Sequence, residues 1–288
     1  MGIQVPIGLA VAAVSCLLAL KWPIGQAKRD QLARSFARKV DLGLRPDLAQ
    51  AVGDRLVRRR RFHLAAVGLA VGLLIALFTW LNSSSSPRGA LLLMGYYVVI
   101  WFGRALGTMA VQTVDDRRGS RPRAAHLTSP TVLDFVTPLE LWSTRAAVTV
   151  GLALAGFGAV TAPSARQRTG ILVVLACCAA IWLAVELISV VVARSRPAAS
   201  DVQSLAFDDA LRAEALRAFM FAGYFPLYWL ASAAIELDLP SPLPYALMGV
   251  CLAALVPALR AESSARARQQ FRRRLWGTPV TDPSTLSR

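Results

Sequence analysis

Residues 170–193 read GILVVLACCAAIWLAVELISVVVA, an apolar run in which Glu186 is the one charged side chain. A helix rises about 1.5 Å per residue and the hydrocarbon core of a bilayer is about 30 Å thick, so a run of this length predicts a membrane-spanning helix. The composition of the chain agrees: 55% of its 288 residues are hydrophobic, 17% are charged, and its mean hydropathy is +0.49. An ordinary globular domain is about 45–50% apolar and about 25% charged. The sequence therefore predicts an integral membrane protein.

The same length test predicts an all-α fold, a polytopic transmembrane helix bundle of about seven spans. The expected spans are residues 3–20, 64–81, 89–110, 146–162, 170–193, 218–235 and 243–259. The first run has no Lys or Arg before it and no A-x-A site behind it, so we expect it to remain a helix and not to be removed as a signal peptide.

The distribution of basic residues predicts the orientation of the chain, because Lys and Arg are retained on the cytoplasmic side of a membrane. Of the 32 Lys and Arg residues, 28 fall in alternate segments between the runs, three fall in the other segments, and Arg104 lies within the third run. This predicts a multi-pass protein of the cell membrane with its N-terminus outside and its C-terminus cytoplasmic. The formal net charge of +15 then reflects topology, and anionic inner-leaflet headgroups are the expected partner. Nucleic acid is not expected as a partner, because no basic segment carries a nucleic-acid-binding signature.

Two basic segments are expected in the cytosol, residues 21–63 and a tail at residues 260–288. The first is the longest piece outside the predicted spans, and about 40 residues rarely build a core of their own, so no separate soluble catalytic domain is expected. In it, apolar residues recur at four-residue spacing on both sides of a break at residues 41–45: Leu32, Phe36 and Val40, then Leu48, Val52 and Leu56. The pattern predicts a cytosolic helical hairpin, which is either a support against the membrane or the bundle, or a docking surface for a partner protein.

Two further segments match the capping-box pattern that begins a helix. The first combines Thr137 with Glu140 and has Pro138 at the first helical position. The second is formed by Ser200 and Gln203. On the helix that it opens, Asp208 and Arg212 stand four residues apart. We expect that helix to be amphipathic before it enters the sixth span.

Two charged side chains fall inside predicted spans, Arg104 in the third and Glu186 in the fifth. Both spans run from outside inwards, and at 1.5 Å per residue each side chain lies about 22 Å from the outer end. An ionisable group in hydrocarbon is costly unless it is paired or hydrated, so Arg104 and Glu186 are candidates for an intramembrane ion pair or for the lining of an inward-facing cavity. In the alternative interpretation, Arg104 extends to the inner headgroups, while Glu186 is protonated or pairs with Arg194.

The sixth span contains a proline among aromatic residues. Pro226 is expected to kink the helix and to free a backbone carbonyl. Tyr224, Pro226 and Tyr228 are therefore candidate cavity-lining residues, although aromatic residues that face lipid are an equally good interpretation.

No motif for catalysis, cofactor binding or metal binding is present: GxxxxGK[ST], HExxH and GxSxG are absent. The four cysteines lie in apolar runs without a CxxC, and the two histidines stand alone in basic segments. Asp115 and Asp116 lack the further carboxylates at fixed spacing that membrane enzymes acting on lipid diphosphates need. We therefore expect no catalytic residue, no cofactor and no metal ion.

The first 65 residues carry a resemblance, in KWP at 21–23, LAR at 32–34, DLGL at 41–44, and RL at 55–56 followed by the arginines at 58–61. This part of the chain resembles the opening of uncharacterised multi-pass integral membrane proteins of high-GC bacteria. The resemblance implies a polytopic membrane protein with a cytosolic helical hairpin after the first span, and it implies no activity.

The function that these observations favour is that of a transport or export subunit, or of an accessory membrane component, without catalytic chemistry of its own. A cytosolic or membrane partner protein is then expected. Two other classes stay open: a membrane-embedded lipid-modifying enzyme, and a scaffold or regulatory protein that recruits cytosolic partners.

Overall fold

The computed structural model describes residues 10, 14, 24–40, 42–81, 129–195, 201–237, 239, 242–263 and 270–276. All regular secondary structure in these ranges is helical, which confirms the all-α prediction for them. Among these residues, three stretches are long and apolar enough to cross a membrane: Pro138–Thr161, Ala165–Arg194 and Val202–Ile235. The second and third contain the fifth and sixth predicted spans, and the first contains all of the fourth except residue 162. Of the span predicted at residues 3–20 only residues 10 and 14 are described, and the span predicted at 89–110 lies outside the described residues.

The helices of the described residues are, in chain order, α1 (Gln26–Val40), α2 (Pro46–Leu81), α3 (Val132–Phe135), α4 (Pro138–Thr161), α5 (Ala165–Arg194), α6 (Val202–Ala222), α7 (Phe225–Glu236), α8 (Leu243–Ser263) and α9 (Gln270–Leu275). The run predicted at residues 243–259 lies within α8, which contains the shorter apolar stretch Leu243–Ala254. The run predicted at residues 64–81 is the second part of α2, which continues through His63 without a break.

The bounds of α1 and α2 agree with the helical hairpin expected from the sequence. α1 ends at Val40 and α2 begins at Pro46, a residue suited to the first turn of a helix because it has no backbone N–H to leave unbonded. The side chains of Phe36, Val40 and Val52 are buried, as the four-residue spacing predicts.

Thr137 caps α4 as predicted: its hydroxyl accepts from the backbone N–H of Glu140, and the Glu140 carboxylate accepts from the backbone N–H of Thr137 at 2.8 Å. The cap of α6 is one residue later than predicted. Asp201, and not Ser200, is the N-cap, and its carboxylate accepts from the backbone N–H of Ser204 at 2.8 Å. Aspartate is among the strongest N-cap residues, which explains the shift.

α6 ends at Ala222 and α7 begins at Phe225, with Pro226 in its first turn, so the expected kink is a complete break. Proline has no N–H to continue the helical ladder, and its ring clashes with the carbonyl four residues earlier. The chain turns at Gly223 and Tyr224, where the Gly223 N–H bonds to the Phe219 and Met220 carbonyls. The Pro226 carbonyl lies 3.4 Å from Cys178 Sγ on α5, so α5 supplies a hydrogen-bond donor close to the break.

Helices α4, α5, α7 and α8 pack against one another in the apolar part of the bundle. Gly151 and Gly158 lie on the face of α4 that meets α7 and α8. A Cβ at Gly151 would overlap Leu227, and a Cβ at Gly158 would overlap Leu243. Because glycine has no side chain, these two positions permit the close approach of α4 to α7 and α8.

A second layer of helices covers one end of the bundle. α1 and α2 lie beside α6, where the rings of Phe36 and Phe207 are 6.4 Å apart between centroids. α3 and α9 pack on each other and on α6, and they bury Phe135 and Phe271 completely. This layer joins residues from four separate parts of the sequence in one hydrophobic cluster.

Candidate functional site

α6 is the central helix of this end of the molecule, and its polar side chains are buried. Asp208, Asp209 and Arg212 are at most 1% exposed. The prediction of an amphipathic helix is therefore wrong, because neighbouring helices cover all sides of α6, including the side that carries the charges. The ion pair expected from the spacing of Asp208 and Arg212 is present, with Oδ2 and Nη2 2.8 Å apart.

Asp208 joins α6 to the hairpin as well as to its own helix. Its Oδ1 atom lies 2.6 Å from Arg55 Nη2 on α2, while its Oδ2 atom faces Arg212. Within the described residues, Nε and Nη1 of Arg212 have no hydrogen-bond acceptor. The charge of this buried guanidinium is therefore balanced by Asp208, which serves two arginines at once.

Glu214, less than two turns further along α6, binds both helices of the hairpin. Its Oε1 atom accepts from Lys39 Nζ on α1 at 2.8 Å, and its Oε2 atom accepts from Arg59 Nη1 on α2 at 2.5 Å. Arg55 and Arg59 stand one helical turn apart, so one face of α2 supplies both of its cations to α6. The hairpin is thus held to the central helix at three ion pairs.

Other sides of α6 are joined to the rest of the molecule by further polar contacts. Arg217 Nε lies 3.4 Å from Glu140 Oε1 at the start of α4. Trp276, just after α9, donates its indole N–H to Asp209 Oδ2 at 3.2 Å. Gln203 donates its side-chain N–H to the carbonyl of Gly43 in the turn of the hairpin. We call α6 with these ion pairs and hydrogen bonds the charged hub.

The structure gives Glu186 a partner that the sequence analysis did not consider. Arg145 on α4 donates from Nε to Glu186 Oε1 at 2.8 Å and from Nη2 to Oε2 at 2.7 Å. The Arg145 guanidinium also lies 5.3 Å from the ring centroid of Trp142, one turn earlier. Arg104 lies outside the described residues, so its pairing with Glu186 stays a prediction.

Tyr224, Pro226 and Tyr228 are all buried, and Tyr224 and Pro226 contact neighbouring helices of the bundle. The Tyr224 hydroxyl lies 2.9 Å from Thr144 Oγ1 on α4, and the Pro226 carbonyl accepts from Cys178 on α5. Two described cavities lie against the hairpin and not beside these residues. Their predicted role in lining a cavity stays a prediction.

Metal-ligating residue types do not cluster in the part of the chain that the structure describes, where no group of three or more His, Cys, Asp or Glu is arranged to hold an ion. Cys177, Cys178 and Cys251 are free thiols. Asp115 and Asp116 lie outside the described residues.

Comparison of the chain with protein families, with curated proteins and with solved structures gives no match. The resemblance of the first 65 residues to bacterial multi-pass membrane proteins therefore stays a prediction. The chemistry of the described residues is then the basis for inferring function.

Proposed function

We propose that this protein is a subunit or accessory component of a membrane transport or export system, with the α1–α2 hairpin as the docking platform for a cytosolic partner. In this proposal the chain crosses the cell membrane seven times, with its N-terminus outside and its C-terminus in the cytosol, and has no catalytic chemistry of its own. One observation carries it: the hairpin is bound to the central helix on one side and presents a basic groove on the other.

The inner side of the hairpin supports a mechanical role. Lys39, Arg55 and Arg59 reach α6 through ion pairs, and Phe36 packs on Phe207 beside them. α6 belongs to the stretch Val202–Ile235 that is long and apolar enough to span a membrane. A partner that moves the hairpin would therefore move α6, which a short turn connects to α7 in the bundle.

The outer side of the hairpin supports a docking role. A cavity of about 680 Å³ lies along α1, with Arg34 and Arg38 exposed on its wall and Leu42 and Leu44 at the hairpin turn. Cations beside an apolar floor are complementary to a helix that carries acidic and apolar residues on one face. We assign this groove to an acidic amphipathic helix of the partner.

The carboxylates of the charged hub, and Glu186 outside it, support a structural use. Asp208, Glu214, Glu140 and Glu186 are each within ion-pair distance of an arginine. Each of these ion pairs joins two different helices of the molecule.

Affinity purification in mild detergent followed by mass spectrometry tests the proposal. The tagged wild-type chain is compared with the Arg34→Glu, Arg38→Glu double variant and with a control double variant, Arg166→Glu, Arg168→Glu, at the start of α5. All four arginines are exposed, so the two variants carry the same change of charge. We expect one transport or export protein to be captured by the wild type and the control, and to be lost from the hairpin variant.

The captured protein is then purified and titrated with each variant, so that loss of binding is measured directly. Equal binding to the hairpin variant would overturn the docking assignment. Loss of one lipid species on deletion of the gene, without any captured partner, would favour a lipid-modifying enzyme. Capture of cytosolic proteins that belong to no transport or export system would favour a scaffold.

A further inference from the structure

A second, smaller cavity lies between the hairpin and α6, on the side of α1 that faces α2. It has a volume of about 290 Å³, and its polar wall is formed by Lys39, Arg59, Arg60, His63 and Glu214. Lys39 and Arg60 are exposed, so the cavity is accessible from the surface, whereas Arg59 is 9% exposed and forms its inner wall.

The position of this cavity along two helices places it where apolar sequence begins. On α2, His63 directly precedes Leu64, the first residue of a predicted span. On α6, Glu214 stands one turn before Ala218, the first residue of another. On both helices, the cavity therefore lies at the boundary where an apolar run begins. If these runs enter the membrane, this boundary is at the depth of the lipid headgroups.

The charge of the cavity is positive even after its own ion pairs are counted. Three cations, Lys39, Arg59 and Arg60, stand against one carboxylate, Glu214, which binds the first two. A phosphate oxygen is the ligand that suits such a wall, because guanidinium and ammonium groups form short charge-assisted hydrogen bonds with it.

The apolar wall of the cavity distinguishes a lipid phosphate from a free phosphate ion. Leu32, Phe36 and Leu56 form the floor next to these cations. A free phosphate ion has nothing to place there, whereas a lipid has a glycerol backbone and the first carbons of its acyl chains. A volume of about 290 Å³ suits a headgroup and not a whole lipid, which leaves the remaining chain length in the membrane.

We propose that this cavity binds the phosphate group of an anionic lipid headgroup in the leaflet on the hairpin's side of the membrane. Arg60 supplies a guanidinium from the rim, and Lys39 and Arg59 share their charge between the phosphate and Glu214. A lipid bound here would contact α1, α2 and α6 together and would stabilise the hairpin on the charged hub. The site is separate from the outer groove of Arg34 and Arg38. The experiments on the lipid site and on the docking groove therefore use different variants, and the failure of one proposal does not contradict the other.

Native mass spectrometry of the full chain in detergent tests this site. Phosphatidylglycerol is titrated into wild-type protein, into Arg60→Gln and into Arg273→Gln, with phosphatidylcholine as the zwitterionic comparison. Arg273 is the matched control because it is an exposed arginine of α9, outside the cavity. We expect Arg60→Gln to bind phosphatidylglycerol about fivefold more weakly than the wild type and the control, the effect of losing one juxtamembrane cation.

Two further measurements separate the other outcomes. Arg60→Lys keeps the charge and should restore most of the affinity, and an unchanged melting temperature without lipid would show that Arg60→Gln is folded. Equal binding of phosphatidylglycerol to Arg60→Gln and wild type, or equal binding of phosphatidylcholine and phosphatidylglycerol, would overturn the site. Inorganic phosphate is titrated in parallel: a thermal stabilisation as large as that given by the lipid, lost in Arg60→Gln, would assign the cavity to a soluble phosphate compound and overturn the lipid.

Discussion

Arg145 and Glu186 form a two-point ion pair between α4 and α5, with both guanidinium-to-carboxylate distances below 3 Å. Both helices are long and apolar enough to cross a membrane, and the pair lies within these stretches. Planar, two-point pairing fixes the orientation of both side chains, which a lysine in place of Arg145 would not do. The pair therefore sets the rotation of α4 against α5 as well as balancing two charges in an apolar part of the molecule.

The first prediction is that Arg145 and Glu186 are energetically coupled. Arg145→Gln leaves Glu186 without its cation, so the single variant should be less stable than the double variant with Glu186→Gln. A double-mutant cycle on unfolding in detergent should give a coupling free energy of about 1 kcal/mol or more, because contacting residues couple by about 0.5–3 kcal/mol.

The same cycle with Arg104→Gln in place of Arg145→Gln tests the pairing that the sequence predicts. Coupling of Glu186 to both arginines would indicate a shared carboxylate. Additive effects of Arg145→Gln and Glu186→Gln would contradict the geometry in the structure.

The second prediction concerns Asp208 in the charged hub. Asp208→Asn removes the carboxylate that faces Arg55 and Arg212, two guanidinium groups of which the second is almost fully buried. Leaving a buried charge uncompensated costs about 3–5 kcal/mol of unfolding free energy.

Asp54→Asn is the matched control for this change. Asp54 pairs with Arg29, and the side chains of both residues are more than a third exposed. Exposed pairs contribute about 0–1 kcal/mol, so the control should unfold close to the wild type in a denaturant titration. A control as unstable as Asp208→Asn would show that burial does not distinguish the two pairs.

Local sequence signals determine several of the helix ends, and these ends can be predicted from the sequence. The spacing of Leu32 and Phe36 with Pro46 after the break predicts the hairpin, and Thr137 predicts the start of α4. Pro226 predicts the interruption before α7. Each of these signals depends on the chemistry of a few neighbouring residues, which is why sequence alone is enough for them.

The charged hub depends on residues that are distant in the sequence, so its burial was not predictable in the same way. The pair Asp208 and Arg212 has the spacing of a surface pair, and no local pattern shows that α1, α2 and α9 cover it. Arg145 is difficult to identify for another reason: it directly precedes the run at 146–162, so it does not stand out as a charge within an apolar run. An arginine beside the end of an apolar run reaches several ångströms along the helix, and this reach is the signal in the sequence that points to Arg145.

The third prediction concerns orientation, which the distribution of Lys and Arg predicts. In a background without the four cysteines, Ser84→Cys should be labelled by a membrane-impermeant maleimide in intact cells. Ser35→Cys, at an exposed position of α1, should be labelled only after the membrane is opened. The reverse pattern of labelling would place the hairpin outside the cell and would also remove the cytosolic partner from the proposed function.

The last prediction concerns the close packing of α4 in the apolar part of the bundle, and it compares two helical glycines. A Cβ at Gly151 would overlap Leu227, which is fully buried, whereas a Cβ at Gly249 on α8 would meet nothing within 4 Å. Gly151→Ala should therefore lower the unfolding free energy by about 1–3 kcal/mol, because a well-packed core must shift to admit a methyl group. Gly249→Ala should leave it unchanged or raise it by up to about 1 kcal/mol, since alanine favours a helix more than glycine does. Thermal unfolding of both variants in the same detergent measures the difference. If the overlap is the cause, Leu227→Ala should destabilise the Gly151→Ala protein less than it destabilises the wild type, which a double-mutant cycle measures. Two equally stable variants would mean that α4 and α7 are further apart than the structure places them.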